Sequence, residues 1–317
     1  MSVLVTGGAG FIGRHLVTRL LSEGNRVYVV DDFSTGVRGL LPSHSRLTVL
    51  EADVIEPLSI PARVDRIFHL ACPASPPHYQ ADPVRTFRTG VWGTFNVLEL
   101  ARATKARVLL ASTSEVYGDP HQHPQRESYW GHVNPWGVRS CYDEGKRGGE
   151  TLAHDFRLQY EVDVRVARIF NTYGPGMRLD DGRVISNFLY AAIHEEPLTI
   201  YGDGTQTRSF CYVDDLVSGL LALMEVPGAP EHPVNLGNPQ EFTMNELAHQ
   251  IDDLCGPQVR THHRLPEDDP SQRRPDISLA QELLHWHPVV GLREGLGRTF
   301  DALRSTALSG PRRERSA

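Results

Sequence analysis

Residues 2–13 read Ser2-Val3-Leu4-Val5-Thr6-Gly7-Gly8-Ala9-Gly10-Phe11-Ile12-Gly13. The first five form a short apolar run of the kind buried in a parallel sheet. From there Ile12, Leu16, Leu20 and Leu21 recur at helical spacing, which predicts a helix over 11–23. Between the two, Gly7, Gly10 and Gly13 permit a tight turn and let backbone amides approach a pyrophosphate, with the positive end of the helix dipole behind them. A glycine triplet alone is weak evidence. With a strand before it and a helix after it, it marks a dinucleotide site, and Phe11 and Ile12 fall within it. A second strand over 26–31 closes on Asp31-Asp32. A carboxylate there suits the ribose diol of NAD and repels the extra phosphate of NADP. Asp53-Val54, after a third strand at 47–51, is placed to meet the adenine, with an ordinary loop Asp as the alternative.

Outward from this start, strands are expected at 65–70, 106–111 and near 162–169, with helices over 83–104 and 139–160. Strand alternating with helix implies an α/β fold, a Rossmann-type doubly wound parallel sheet. After residue 171 the pattern loosens into short elements rich in Gly, Pro and Asp, as in a smaller lobe packed over the cofactor crevice. The expected division is 1–170 for the dinucleotide, joined by part of about 207–240, and 171–307 mainly for the substrate. The polar tail 308–317 is expected to be disordered.

The 317 residues are 40% apolar, enough for a large core. A net charge of -7 gives no basic surplus for nucleic acid or an anionic membrane. No run of eighteen apolar residues occurs, and glycines with Arg14 and Arg19 interrupt any signal-peptide pattern at the start. Cys72, Cys141, Cys211 and Cys255 are widely spaced, which argues against a disulfide framework or zinc site and for a reducing cytoplasm. His262-His263 and His285-x-His287 lack acidic or Cys partners at ligand spacing, so no metal is expected.

Chemistry concentrates in two blocks. Ser112-Thr113-Ser114-Glu115-Val116-Tyr117-Gly118 follows a strand, and a residue at the carboxyl end of a sheet strand faces the ligand crevice. A hydroxyl at Thr113 or Ser114 can hydrogen-bond an oxygen under oxidation. Glu115 beside them can serve as acid, base or polar anchor. In Ser140-Cys141-Tyr142-Asp143-Glu144-Gly145-Lys146, Tyr142 and Lys146 are four apart and share a helix face. The ammonium is expected to lower the Tyr142 pKa, making a base for a sugar hydroxyl as hydride leaves the same carbon. Lys146 can also bond the nicotinamide ribose. Cys141 has no base at hand and reads as a packed residue.

These motifs resemble the extended short-chain dehydrogenase/reductase superfamily acting on nucleotide sugars, over about residues 3–300. Within it the chain is similar to the UDP-glucuronic acid decarboxylases. The blocks that carry the likeness include His69-Leu70-Ala71-Cys72-Pro73-Ala74-Ser75-Pro76-Pro77-His78-Tyr79, Arg139 to Arg147, Arg168 to Pro175, Asp181 to Phe188, Tyr201 to Phe210 and Arg273-Arg274-Pro275-Asp276-Ile277. The resemblance implies NAD as cofactor, with Leu70, Ala71, Thr89 and Thr172 added to its contacts. It implies a UDP-sugar held by Tyr79, Asn171, Asn187, Tyr201, Arg208 and Arg273, and a homodimer built on the helices near 83–104 and 139–160. It further implies redox-neutral loss of carbon dioxide from UDP-glucuronic acid through a 4-keto sugar. Gly176 stands where the family has Arg, Gly90 where it has Asn, and Trp136 and Val138 where it has other residues. The alternatives are a 4,6-dehydratase, which would need Asp at 114; a uronate 4-epimerase, which usually lacks Glu at 115; the same decarboxylation on a TDP-sugar; and a non-catalytic module on the same fold.

Overall fold

The computed structural model describes residues 1–179, 181–264 and 270–307. The tail expectation for 308–317 therefore lies outside the described residues. Seven parallel strands form one sheet: β1 (Ser2–Thr6), β2 (Arg26–Asp31), β3 (Leu47–Glu51), β4 (Arg66–His69), β5 (Arg107–Thr113), β6 (Val164–Ile169) and β7 (Val234–Leu236). Their spatial order is β7-β6-β5-β4-β1-β2-β3. Strand order reverses between β1 and β4, and the connections leaving these two strands diverge to opposite faces. That divergence opens a crevice beyond their carboxyl ends.

Helix α1 (Phe11–Ser22) buries Leu16, Val17, Leu20 and Leu21 against one face of the sheet, with Val3, Val5, Val27 and Val29. On the other face, Val97, Leu98 and Ala101 pack with Phe156 against Leu4, Ile67 and Val108. The single helix expected over 83–104 is interrupted. It runs as α2 (Pro83–Arg88), a wide π turn over Thr89–Gly93, and α3 (Thr94–Thr104). The physical reason is a backbone contact with α4 (Ser140–Tyr160): a Cβ at Gly90 would lie 2.9 Å from the Gly145 carbonyl carbon. The Asn usual at position 90 has no room in this packing.

The remaining elements build a second layer of small sheets and helices. Helix α5 (Val184–Ile193) lies in this layer. Helix α6 (Val213–Glu225) instead returns to the main sheet, burying Leu216, Leu220 and Leu223 beside α1. Helices α7 (Met244–Cys255) and α8 (Leu292–Ala307) belong to the second layer again. Phe188, Leu189, Ile200, Leu247, Ile251 and Leu296 form a core of their own. A three-stranded sheet places Thr207–Ser209 between Glu241–Thr243 and Gln272–Arg273. Its parallel register sets Arg273 beside Arg208, at the floor of this lobe where it faces the crevice. Among the described residues no helix is long and apolar enough to cross a membrane.

Candidate active site

A cavity of about 570 Å³ lies between the lobes, and a smaller one of about 80 Å³ continues it toward the ends of β2 and β3. Every residue the sequence nominates lines one or the other. Asp31, Asp32, Asp53, Val54, Ala71 and Thr89 border the small pocket, Leu70, Gly7 and Gly10 border both, and the rest surround the large one.

The glycine loop is shaped for close approach. Gly7 has φ +70°, and a Cβ there would lie 2.7 Å from the Ala71 nitrogen. Only glycine allows the turn to sit against the end of β4. Asp31 fixes the loop from beneath: its carboxylate accepts from the Ala9 and Phe33 amides, each at 2.9 Å. At the adenosine end the Arg85 guanidinium donates to Asp32 at 2.8 Å and to Asp53 at 2.7 Å. This ties α2 to the ends of two strands across the pocket. Burial alone would raise the Asp32 pKa, but the Ser34 hydrogen bonds and Arg85 hold it below the usual carboxylate range.

The dinucleotide cradle fits NAD: a turn that a Cβ would block, a helix N-terminus behind it, and a carboxylate at the end of β2.

At the other end, Thr113 closes β5, and Ser114 and Glu115 open a tight turn over Ser114–Tyr117. Tyr142 and Lys146 project from one face of α4 and are 5% and 8% exposed. Thr113 hydrogen-bonds Tyr142 and favours its phenolate, but burial outweighs this and pushes the phenol above the ordinary tyrosine value. The expected lowering by Lys146 is thus reversed here. Its Nζ lies 5.8 Å from the Tyr142 ring centre and donates to the Ala111 carbonyl at 2.8 Å, so it is anchored to β5 rather than to the phenol. The Tyr79 ring stacks on Tyr142 with centres 5.1 Å apart and planes at 7°. The Tyr79 hydroxyl is buried without a hydrogen-bond partner among the described residues, so it is available to a ligand in the cavity.

Glu115 sits between two cations. It accepts from Arg139 at 2.7 Å and from Arg273 at 3.2 Å, and Arg273 also donates to the Ser114 carbonyl. Burial alone would raise this carboxyl, but Arg273 and then Arg139 hold it down to about 2. Glu115 is therefore ionised at neutral pH. Arg273 is 1% exposed, a buried wall of the cavity and not a loop cation. Arg208 donates to the carbonyls of Thr207 at 2.8 Å and Pro270 at 2.6 Å, which points its strand at the same wall. Asn171, Asn187, Thr172 and Tyr201 complete the lining.

Several cleft residues escape the sequence reading as individuals. Arg139 lies inside the Tyr142 block, yet only the fold reveals that it meets Glu115. Arg183 lines the cavity and pairs with Asp181; burial would lower its pKa, but Asp181 raises it. His69, at the end of β4, is buried between Thr6 at 2.7 Å and Thr94 at 3.3 Å. Thr94 donates to the Gly90 carbonyl, so its oxygen accepts from His69 Nε2, and Nδ1 accepts from Thr6. Trp136 is 96% exposed and does not border either cavity.

Residues 3–237 match the model of the NAD dependent epimerase/dehydratase family. UDP-glucuronic acid decarboxylase 4 of Arabidopsis thaliana is 56% identical over 300 residues, 93% of this chain and 67% of the relative. UDP-glucuronic acid decarboxylase 6 of the same plant is 56% identical over 302 residues, 93% of this chain and 87% of the relative. Among solved structures, UDP-glucuronic acid 4-epimerase of Bacillus cereus, in complex with UDP-glucuronic acid and NAD, aligns with a TM-score of 0.85 at 27% identity. That alignment covers 96% of this chain and 100% of the neighbour.

Proposed function

This chain belongs to the NAD dependent epimerase/dehydratase family, and from that premise we infer that it converts UDP-glucuronic acid to UDP-xylose and carbon dioxide. NAD, when bound, supplies the acceptor for the sugar C4 hydride and afterwards its donor, so the cycle is redox-neutral.

The chain's own residues divide the remaining work. Thr113 orients the phenol of Tyr142, which takes the C4 hydroxyl proton as general base. Lys146, anchored to the Ala111 carbonyl and 5.8 Å from the Tyr142 ring centre, is placed to bond the nicotinamide ribose. Oxidation at C4 places a ketone β to the C6 carboxylate. The C5–C6 bond then breaks, carbon dioxide leaves, and the electron pair passes into an enolate with oxygen at C4. Protonation at C5 restores the ketone, and Tyr142 returns its proton to the C4 oxygen on reduction. Arg208 and Tyr201 are suited to the diphosphate and base end of the substrate, and Asn171, Asn187 and the free Tyr79 hydroxyl to its hydroxyls.

Glu115 is the single observation that carries this reading. Two guanidinium groups keep it as a carboxylate, so Glu115 cannot give the proton that elimination of water requires. Ser114 is no acid either, and Asp143, which burial and then the Glu115 charge keep protonated, does not border the cavity. A carboxylate clamped beside Tyr142 can instead order the water that protonates C5. Purified protein incubated with UDP-glucuronic acid and catalytic NAD should release one carbon dioxide per sugar while absorbance at 340 nm stays flat. Accumulating NADH, or sugar turnover with no carbon dioxide, would overturn the reading.

We also propose a homodimer across α2, α3 and α4. Val84, Phe87, Phe95 and Leu158 on these helices and Trp92 in the π turn between α2 and α3 are exposed apolar residues, more than a solvated helix face ordinarily shows. Light scattering on a sizing column should give twice the chain mass, and a monomer at micromolar concentration would sink the proposal. The four cysteines are free, which suits a reducing, cytoplasmic setting.

A further inference from the structure

Arg14 stands in the first turns of α1, one residue beyond the glycine fingerprint, and lines the large cavity with Gly10, Phe11 and Gly13. Its guanidinium is partly buried, and that burial lowers its pKa. Its one hydrogen bond among the described residues is to the Gly176 carbonyl, and no carboxylate pairs with it. A desolvated cation facing only a carbonyl is electrostatically incomplete. Gly176 leaves the space it needs: φ there is +80°, and a Cβ would overlap the Arg14 guanidinium. Neighbouring His15 holds the same loop by donating from Nε2 to the Pro175 carbonyl, 2.9 Å away.

We propose that Arg14 is the cationic contact for the pyrophosphate of the dinucleotide, delivered from the fingerprint helix across the space that Gly176 leaves open. This rests on NAD being the cofactor but not on the decarboxylation itself. The helix N-terminus and glycine amides contribute dipoles there, and a guanidinium adds a full charge with fork geometry suited to phosphate oxygens. A second diphosphate, that of the nucleotide sugar, enters the same cavity. Position decides between them: Arg14 follows Gly13 directly, whereas Arg208 and Tyr201 lie on the opposite lobe.

The test is binding, not turnover. Arg14→Gln and Arg14→Lys proteins, freed of cofactor, are titrated with NADH by fluorescence and with ADP-ribose and UDP by competition or calorimetry. The Gln variant should bind NADH and ADP-ribose roughly 10- to 100-fold more weakly, the worth of a charge-assisted hydrogen bond. UDP should bind as before, and Lys should recover part of the loss with a steeper salt dependence than Gln. Unchanged NADH binding by the Gln variant would overturn the proposal. So would an equal loss of UDP, which would place the cation at the substrate diphosphate. A fall in melting temperature of the ligand-free Gln variant, with Lys and Gln binding NADH alike, would reduce Arg14 to a tether for the 174–177 loop and overturn it as well. Should Gln not fold, Arg14→Lys against Arg14→Met gives the same comparison.

Discussion

The dinucleotide end of the cleft is made of backbone between Gly7 and Asp31, whereas the sugar end draws Glu115, Arg139 and Arg273 together across 158 residues of chain. The first is a local solution: glycine turn, helix terminus and one carboxylate accepting two amides. The second is a long-range charge arrangement in which Glu115 accepts from two desolvated guanidinium groups with buried Asp143 beside them. Local geometry tolerates change at its rim. A buried triad does not, because removing one member strands the others.

The largest effect tests the sugar end. Tyr142→Phe should lower kcat by about 10³-fold or more, the range of a lost general base, while NAD binding, measured separately, stays within a few-fold. Near-normal turnover would remove Tyr142 from the mechanism and dissolve the division between the two ends.

Next is Glu115→Gln, which keeps shape and removes charge. It should cost about 3–5 kcal/mol of stability in urea titration, since Arg139 and Arg273 are left without their shared partner. With the Glu115 carboxyl held at about 2, its contribution is present above the ordinary carboxyl range and is lost as pH falls toward 2. The Gln variant should lack that acid limb. A cost below about 1 kcal/mol would mean that the triad is a solvated surface pair.

A third measurement concerns His69, where the two ends meet. Burial first, with Lys146 adding to it, pushes this imidazole down to about 3. A depressed base is neutral in the folded chain while the unfolded chain takes up a proton, so stability rises with pH between about 3 and 6.5 and is lost on acidification through that window, at most about 1.4 kcal/mol per pH unit. His69→Asn should flatten the acid-unfolding curve between pH 6.5 and 4.5, above the Glu115 limb. An unchanged curve would show that His69 is not the group protonated.

The smallest effect lies at the rim. Arg85 is 46% exposed on its side chain, so Arg85→Met should cost less than about 1 kcal/mol of stability. It should still weaken NAD binding several-fold by unclasping Asp32 from Asp53. A stability loss as large as that of Glu115→Gln would erase the contrast between the two ends.

This contrast also explains what could be read in advance. The strands at 2–6, 26–31 and 47–51 coincide with β1, β2 and β3, because short apolar runs bounded by turns leave few alternatives. Tyr142 and Lys146 share a helix face because spacing alone dictates it. The π turn over Thr89–Gly93 was not legible, since it depends on Gly90 meeting Gly145 from another helix. The raised phenol of Tyr142 was not legible either. Spacing brings Lys146 near, but the depth of burial and the Ala111 carbonyl that engages the ammonium are tertiary facts. Arg273 was recognisable as a cation of interest, yet only the parallel register with Arg208 and the turn at Ser114 show that it closes on Glu115.

The most direct test is proton NMR of the purified protein with UDP-glucuronic acid and catalytic NAD in heavy water. The account expects a growing UDP-xylose anomeric signal, one deuteron at C5 of each product sugar, and no lasting NADH. UDP-glucuronic acid left unchanged, or converted to an epimer that keeps its carboxylate, would contradict it.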